Sequence, residues 1–345
     1  MKSYKAFALL LAIVMILACA GCGAGTASSS EETSLTETET VTKTEEITTA
    51  SADYKLSSGL NIAVLKGPTG IGMAQLFGMS ELGYNVSLFD SPDQVTAKLI
   101  SGEVDVAAVP SNLGAVLFNK TGGQIKSLAV NTGGTLYLLQ QGVASITSLE
   151  QVKGMDIWAS GQGAVPEFVL SALLAKAGLS TDDVNIHWMA SHTDVISTMA
   201  TVNGGLALLP EPHVSIAEAQ NEMMYEVLDL NELWNESFGS DMPMGILVAR
   251  SEILDSRAED VKTLLSACEQ SALSATSNVD EAAALVTELG IVGSAAIAKK
   301  AIPRCNIIFI TGEEMKSTLE GFYNTLFELA PASVGGALPT AEYYY

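Results

Sequence analysis

An almost unbroken apolar run, Leu60-Asn61-Ile62-Ala63-Val64-Leu65, is followed at once by Lys66-Gly67-Pro68-Thr69-Gly70. A run of that length and composition suits a strand buried on both faces. The turn formers behind it reverse the chain, and from Ile71 the apolar residues Met73, Leu76 and Phe77 recur at helical spacing. Strand, glycine-rich loop, helix is the repeating unit of an open α/β sheet. Its loop lies at the carboxyl edge of the strands, where ligands bind and the helix start offers free N–H groups.

The glycines do not complete a phosphate motif. Gly70-Ile71-Gly72-Met73 has no Lys for a Walker loop, and Gln75 stands where the dinucleotide fingerprint needs its third Gly. Two readings remain: a helix-start binding loop with Thr69 as hydroxyl donor, or a tight turn that only closes the strand–helix unit.

The same grammar continues down the chain. Strands are predicted over 84–89, 104–109, 127–130 and 135–139, with a helix over 93–101 opened by Ser91-Pro92. A second set follows: a strand over 156–159, the loop Ser160-Gly161-Gln162-Gly163-Ala164, a helix opened by Val165-Pro166, and strands over 184–189 and 204–209. A strand over 244–249 leads back, and the remainder is mostly helical. Its last helix, over 312–329, has Thr311 and Glu314 placed for a capping box. Alternation of this kind implies largely parallel sheets covered by helices, and two such units with facing loops make a cleft.

The N-terminus reads differently. Lys2 and Lys5 precede the apolar run 6–18, which is short for a membrane span. It leads into Ala18-Cys19-Ala20-Gly21-Cys22, which resembles a bacterial lipoprotein leader with Cys22 as the lipidated residue and Cys19 as the alternative register. Residues 23–58 are Ser-, Thr- and Glu-rich with almost no large apolar side chain, so they cannot offset their ordering entropy and should form a disordered acidic tether. With 17 Lys and Arg against 39 Asp and Glu, the net charge of −22 argues against nucleic acid as a partner.

Leader, tether and two α/β lobes together resemble the substrate-binding proteins of ABC importers, nearest to the branch that binds nitrate, sulfonates, taurine and thiamine precursors. Three segments carry the likeness. Gly102-Glu103-Val104-Asp105-Val106-Ala107, running on to Pro110-Ser111-Asn112, resembles the branch's Gly-x-x-Asp-x-Ala segment. Gly161-Gln162-Gly163-Ala164 falls where the second lobe starts a helix, and Ala207-Leu208-Leu209-Pro210-Glu211-Pro212 resembles a segment ending in Glu-Pro. Pro210 stands where many members have an aromatic residue, so the ligand class does not carry over.

The resemblance implies a type II periplasmic-binding-protein fold, each lobe a mainly parallel sheet flanked by helices, with the ligand between them. Lobe one is expected over 59–138 and 244–345, and lobe two over 139–243. Donors that converge on closure are expected at Thr69, Gly70, Ile71, Ser111, Asn112 and Thr132 from lobe one. From lobe two come Gln162, Gly163, Ala164 and Glu211, with Met242 and Pro243 at the returning crossover. Trp158 or Trp188 could stack on a heteroaromatic ligand. His187, His192 and His213 lack the spacing of a metal site, and Cys268 and Cys305 are read as separate buried thiols or as an extracellular disulfide.

No cofactor is implied. The implied partners are a small polar or anionic molecule (sulfonate, nitrate or pyrimidine-like), the permease and ATPase of an ABC importer, and the outer face of the membrane through the lipid anchor alone. The chain is expected to act as a monomer. Enzymes on the same fold include precursor synthases with a Cys-rich run, absent here, and menaquinone-route dehydratases that work inside the cell. A tethered solute sensor is the alternative non-enzyme reading.

Overall fold

Strand β1 forms at Leu60–Leu65, where the apolar run predicts it. The structure, a computed structural model, describes residues 55–345. The expected leader, Cys19, Cys22 and most of the tether lie outside the described residues.

The elements then follow in order: α1 (Pro68–Gly72), β2 (Tyr84–Phe89), α2 (Pro92–Ser101), β3 (Val106–Pro110), α3 (Ser111–Thr121), β4 (Ile125–Thr132), β5 (Leu136–Gln141) and β6 (Asp156–Ser160). Next come α4 (Val165–Lys176), β7 (Asn185–Met189), α5 (His192–Met199), β8 (Gly205–Pro210), α6 (His213–Gln220), β9 (Tyr225–Asp229) and α7 (Leu230–Phe238). The chain closes with β10 (Gly245–Arg250), α8 (Ser251–Ser256), α9 (Ala258–Ser277), α10 (Val279–Glu288), α11 (Ala295–Ala301), β11 (Ile307–Ile310) and α12 (Gly312–Leu329).

Two sheets result, with strand orders β11-β4-β10-β3-β1-β2 and β7-β6-β8-β5-β9. Both are mixed. β1 pairs in parallel with β2 and β3, and β6 with β7 and β8. The strands next to a passage between sheets run antiparallel: β10 against β3 and β4, and β5 against β8 and β9. A strand that enters from the other lobe comes in at the ligand edge, so it must run the opposite way.

Each sheet buries both faces. Leu60, Ile62 and Val64 of β1 meet Met73, Leu264 and Cys268 on one side, while Ala63 and Leu65 turn toward Val95 and Leu99 on the other. One core also runs on from Val130 and Ile246 of the first sheet to Leu136 and Leu208 of the second, through Trp234, Phe322 and Tyr323. The lobes are therefore joined along one flank by shared packing.

Several expectations need correction. α1 begins at Pro68, three residues before the predicted helix, and gives way to a 3-10 turn at Ala74–Gly78. α3 and α6 start at Ser111 and His213, in segments read only as loops. Thr311 makes no side-chain cap, so the capping box does not form. The passage between sheets falls between Thr132 and Leu136, so a lobe boundary at 138/139 would cut through β5. The tether's end is docked rather than free. Leu56 is buried, and Ser57 donates through N and Oγ to Asp260, whose carboxylate also pairs with Arg257. Leu56 N also donates to Leu82 O, and Arg257 donates to the carbonyls of Ser58 and Gly59, so the segment is held at several points.

Candidate functional site

The β1–α1 loop reaches the gap between the sheets. Gly67 holds φ +108°, a backbone state that side chains resist, and Pro68 fills the first helical position without an N–H. Thr69 follows, its Oγ1 donating to Leu65 O at 3.2 Å. Thr132, at the end of β4, and Met244-Gly245, at the start of β10, complete this wall. Gly245 is required by close approach: a Cβ there would lie 2.5 Å from Thr69 Cγ2 and 3.0 Å from Thr132 Oγ1.

The facing wall comes from the second sheet: Thr135, the turn Pro210-Glu211-Pro212-His213 after β8, and His192 at the start of α5. The cleft between the two walls is about 180 Å³, below the ~300–1,000 Å³ of clefts that take drug-sized ligands. The larger hollow of about 790 Å³ lies behind the two inter-sheet passages, against Gly133, Gly134 and Met242, and its lining sets Asp229, Glu232, Glu236 and Asp241 beside Arg304. It receives neither of the loops just described.

The two imidazoles set the electrostatics of the second wall. Their ring centroids are 4.7 Å apart. His192 Nδ1 shares a 2.5 Å hydrogen bond with the buried Ser160 hydroxyl, and His213 Nδ1 is buried without a partner. Burial, and secondarily His213, brings His192 down to about 3; burial alone brings His213 down to about 4. Both rings are neutral at physiological pH. Lys66 is the one cationic side chain among the described residues lining the cleft, and it pairs with Asp90 at 2.7 Å in an exposed setting.

Glu211 backs the same wall without exposure. Its amide donates to Thr135 O; its carboxylate accepts from Ser215 N and Oγ and pairs with Arg304 Nε at 3.0 Å. Burial pushes its pKa above the usual carboxylate range, and Arg304 and Ser215 offset only part of that.

Of the residues expected to bind, Thr69, Thr132 and Glu211 come together at the cleft. The others are placed elsewhere. Gly70 and Ile71 are buried, with the Ile71 side chain in the core under α10. Ser111 is a brace: Oγ donates to Pro243 O at 2.7 Å, and its own carbonyl accepts from Tyr323. Asn112 Nδ2 turns to Ser333 O in the C-terminal segment. Gln162 and Gly163 are exposed; Gly163 N donates to Glu167 and Ala164 N to Gly161 O. Met242 lines the hollow behind the passages. Trp158 is core, stacked on His187, and Trp188 faces a groove beside Glu167 and Asp182. Cys268 and Cys305 are free and buried.

His192 and His213 line the cleft, although sequence reasoning weighed them only as metal ligands. Each opens a helix directly after a strand-to-helix turn, the position argued for Thr69. Among the described residues no three of His, Cys, Asp and Glu gather closely enough to hold a metal ion.

Two mixed α/β sheets with strand-to-helix loops facing across a cleft define the fold of the two-lobed periplasmic binding proteins. Solved structures agree. An ABC transporter from Parabacteroides distasonis is 25% identical with TM-score 0.72, over 84% of this chain and 99% of that one. The periplasmic aliphatic sulphonate binding protein SsuA from Escherichia coli is 16% identical with TM-score 0.67, over 84% and 92%. The alkanesulfonate-binding protein SsuA from Xanthomonas axonopodis pv. citri, bound to MOPS, is 13% identical with TM-score 0.64, over 83% and 96%. The two SsuA proteins lie in the branch the sequence resembles. A family model described as menaquinone biosynthesis matches residues 170–326, and no curated protein matches the sequence.

Proposed function

We propose that this chain is an extracytoplasmic solute-binding protein, lipid-anchored through Cys22, that captures a small polar or anionic molecule as a monomer and delivers it to an ABC importer. The observation that carries the reading is the cleft itself. Loops from two different sheets supply its walls, with hydroxyls of Thr69 and Thr132 on one side and neutral imidazoles of His192 and His213 on the other. A ligand touching both walls favours the closed arrangement. With one cation in the lining, recognition rests on hydrogen bonds more than on fixed charge. That fits a sulfonate, nitrate or pyrimidine-like solute, and the sulphonate-binding neighbours support the same class.

A thermal-shift screen of taurine, methanesulfonate, nitrate, an aminopyrimidine and acetate tests this. At a hundredfold excess over Kd a ligand adds about 2.7 kcal/mol, seen as a rise of several degrees. In Thr69→Val and His213→Gln the affinity for the hit falls by about tenfold, the scale of one lost hydrogen bond to a desolvated partner. No shift with any probe, and no small molecule released from denatured protein, would defeat the reading. For the anchor, Cys22→Ser is expected to move the protein from the membrane to the soluble fraction; if only Cys19→Ser does so, the other register holds.

The partial match to a menaquinone-biosynthesis model, with two neutral histidines in the cleft, favours one second reading: an enzyme on this fold. Mass spectrometry of a hit incubated with the protein separates the two. A binding protein returns the molecule intact.

A further inference from the structure

We propose that Arg304 is a positioning residue of the cleft: a clasp between the lobes that sets how closed the site stands without reaching the ligand. Arg304 lies between α11 and β11, in the return of the first lobe, yet its guanidinium is held by the second. Nε pairs with Glu211 Oε1 at 3.0 Å, one terminal nitrogen approaches Glu218 Oε2 at 3.5 Å, and the other pairs with Glu226. Its charged carbon stands 4.9 Å from the centre of the Tyr137 ring, whose hydroxyl donates to the Arg304 carbonyl at 3.4 Å. Lys300, one helical turn earlier on α11, pairs with Glu218 at 2.6 Å.

Three carboxylates from β8–α6, α6 and β9 therefore converge on one guanidinium from the opposite body. Glu211 is the link to the site, because it is fully buried and the next two residues, Pro212 and His213, line the cleft. His213 and Glu211 move with the second lobe as one unit, so a rotation of that lobe against the first has to break or remake the Arg304 pairs.

The electrostatics support an active clasp over incidental surface pairs. Burial of Arg304 works against its charge, but Glu211, Glu226 and Glu218 outweigh it and hold its pKa above the ordinary value. Burial raises Glu226 as well as Glu211, against the pull of Arg304. Such partly desolvated pairs resist screening, and removing one partner leaves buried charge behind. The groups facing Arg304 are those three glutamates and Tyr137, with Lys300 joining through Glu218.

The test needs no ligand, so it can fail while the binding role stands, and the reverse. The proposal takes from that role only which site the clasp regulates. In the full chain with Cys19 and Cys22 changed to Ser, spin labels go on Gln94→Cys in the first lobe and Thr193→Cys in the second. Arg304→Gln is expected to raise the open-to-closed ratio about tenfold, read as a longer inter-label distance. Arg304→Lys, which keeps the charge but not the fork, should restore part of the closed population. An unchanged distance distribution in folded Arg304→Gln overturns the proposal. If that variant does not fold, the Glu218→Gln/Glu226→Gln double variant decides: opening supports the clasp, and unchanged spacing overturns it.

Discussion

The two walls of the cleft are built on different principles. The first-sheet wall is mainly backbone and hydroxyl, from Gly67, Pro68, Thr69, Thr132 and Gly245, with Lys66 at its exposed edge paired to Asp90. The second-sheet wall carries the titratable groups His192, His213 and, behind them, Glu211. One wall is fixed by close packing at Gly245, while the other buries two imidazoles whose charging the fold disfavours. Differences between the walls are therefore the way to test how the site works.

The largest expected effect is acid sensitivity from the second wall. An unfolded histidine titrates near 6.5, whereas His192 and His213 are held down to about 3 and about 4 in the fold. Between those values the unfolded chain binds more protons, so stability is fully present above pH 6.5 and is lost as pH falls toward 4. A tenfold difference in proton affinity between the folded and unfolded chain is worth about 1.4 kcal/mol, so the pair can cost on the order of several kcal/mol over that window. Glu211 works in the opposite sense. Its raised pKa contributes stability at low pH that is lost as pH rises above the unfolded value of 4.5. Urea midpoints at pH 6.5 and 4.5 should fall more steeply in the wild type than in His192→Gln/His213→Gln. Equal slopes would mean that these rings are not buried neutral, and the contrast between walls would be lost.

A smaller effect belongs to the first wall. Gly245→Ala puts a methyl group 2.5 Å from Thr69 Cγ2 and 3.0 Å from both Asn131 Oδ1 and Thr132 Oγ1. Overpacking of this kind costs about 1–3 kcal/mol. It should also weaken the thermal-shift hit, since both hydroxyl-bearing side chains must move. Its urea midpoint should drop by the same amount at both pH values, with no acid component. A pH-dependent loss would show that the two walls are coupled.

The first wall was largely legible in the sequence, and the second was not. Leu60–Leu65 followed by Gly67-Pro68-Thr69 announces strand, turn and helix start locally, so Thr69 could be named. Glu211 could be named from its Glu-Pro segment, but its role could not. Its partner Arg304 lies 93 residues away in a 3-10 turn, and no local pattern brings them together. His192 and His213 meet only because α5 and α6 start at the same edge of the second sheet. Val165-Pro166 announced the start of α4, whereas α6 spans only eight residues, so His213 read as loop. Ser111 and Asn112 follow β3 as expected, but they open α3 instead of a loop. What the sequence could not show was the C-terminal segment that takes up their side chains.

The smallest effect comes from a pair of loops with the same grammar. Residues 66–70 and 160–164 both join a strand to a helix through glycines, yet only the first lines the cleft. In the second, the Ala164 amide is spent on Gly161 O and the Gly163 amide on Glu167, so neither is free for a solute. Glu167→Gln should change stability by no more than about 1 kcal/mol, the worth of one exposed hydrogen bond. It should speed hydrogen exchange at Gly163 and leave affinity for the hit unchanged, as should Gln162→Ala, while Thr69→Val loses its tenfold. If either second-loop substitution instead weakens binding as much as Thr69→Val, the loop must release Glu167 and turn its amides inward when the solute is held. The two walls would then share one mode of recognition, main-chain amides at helix starts, and the histidines would be bystanders to it.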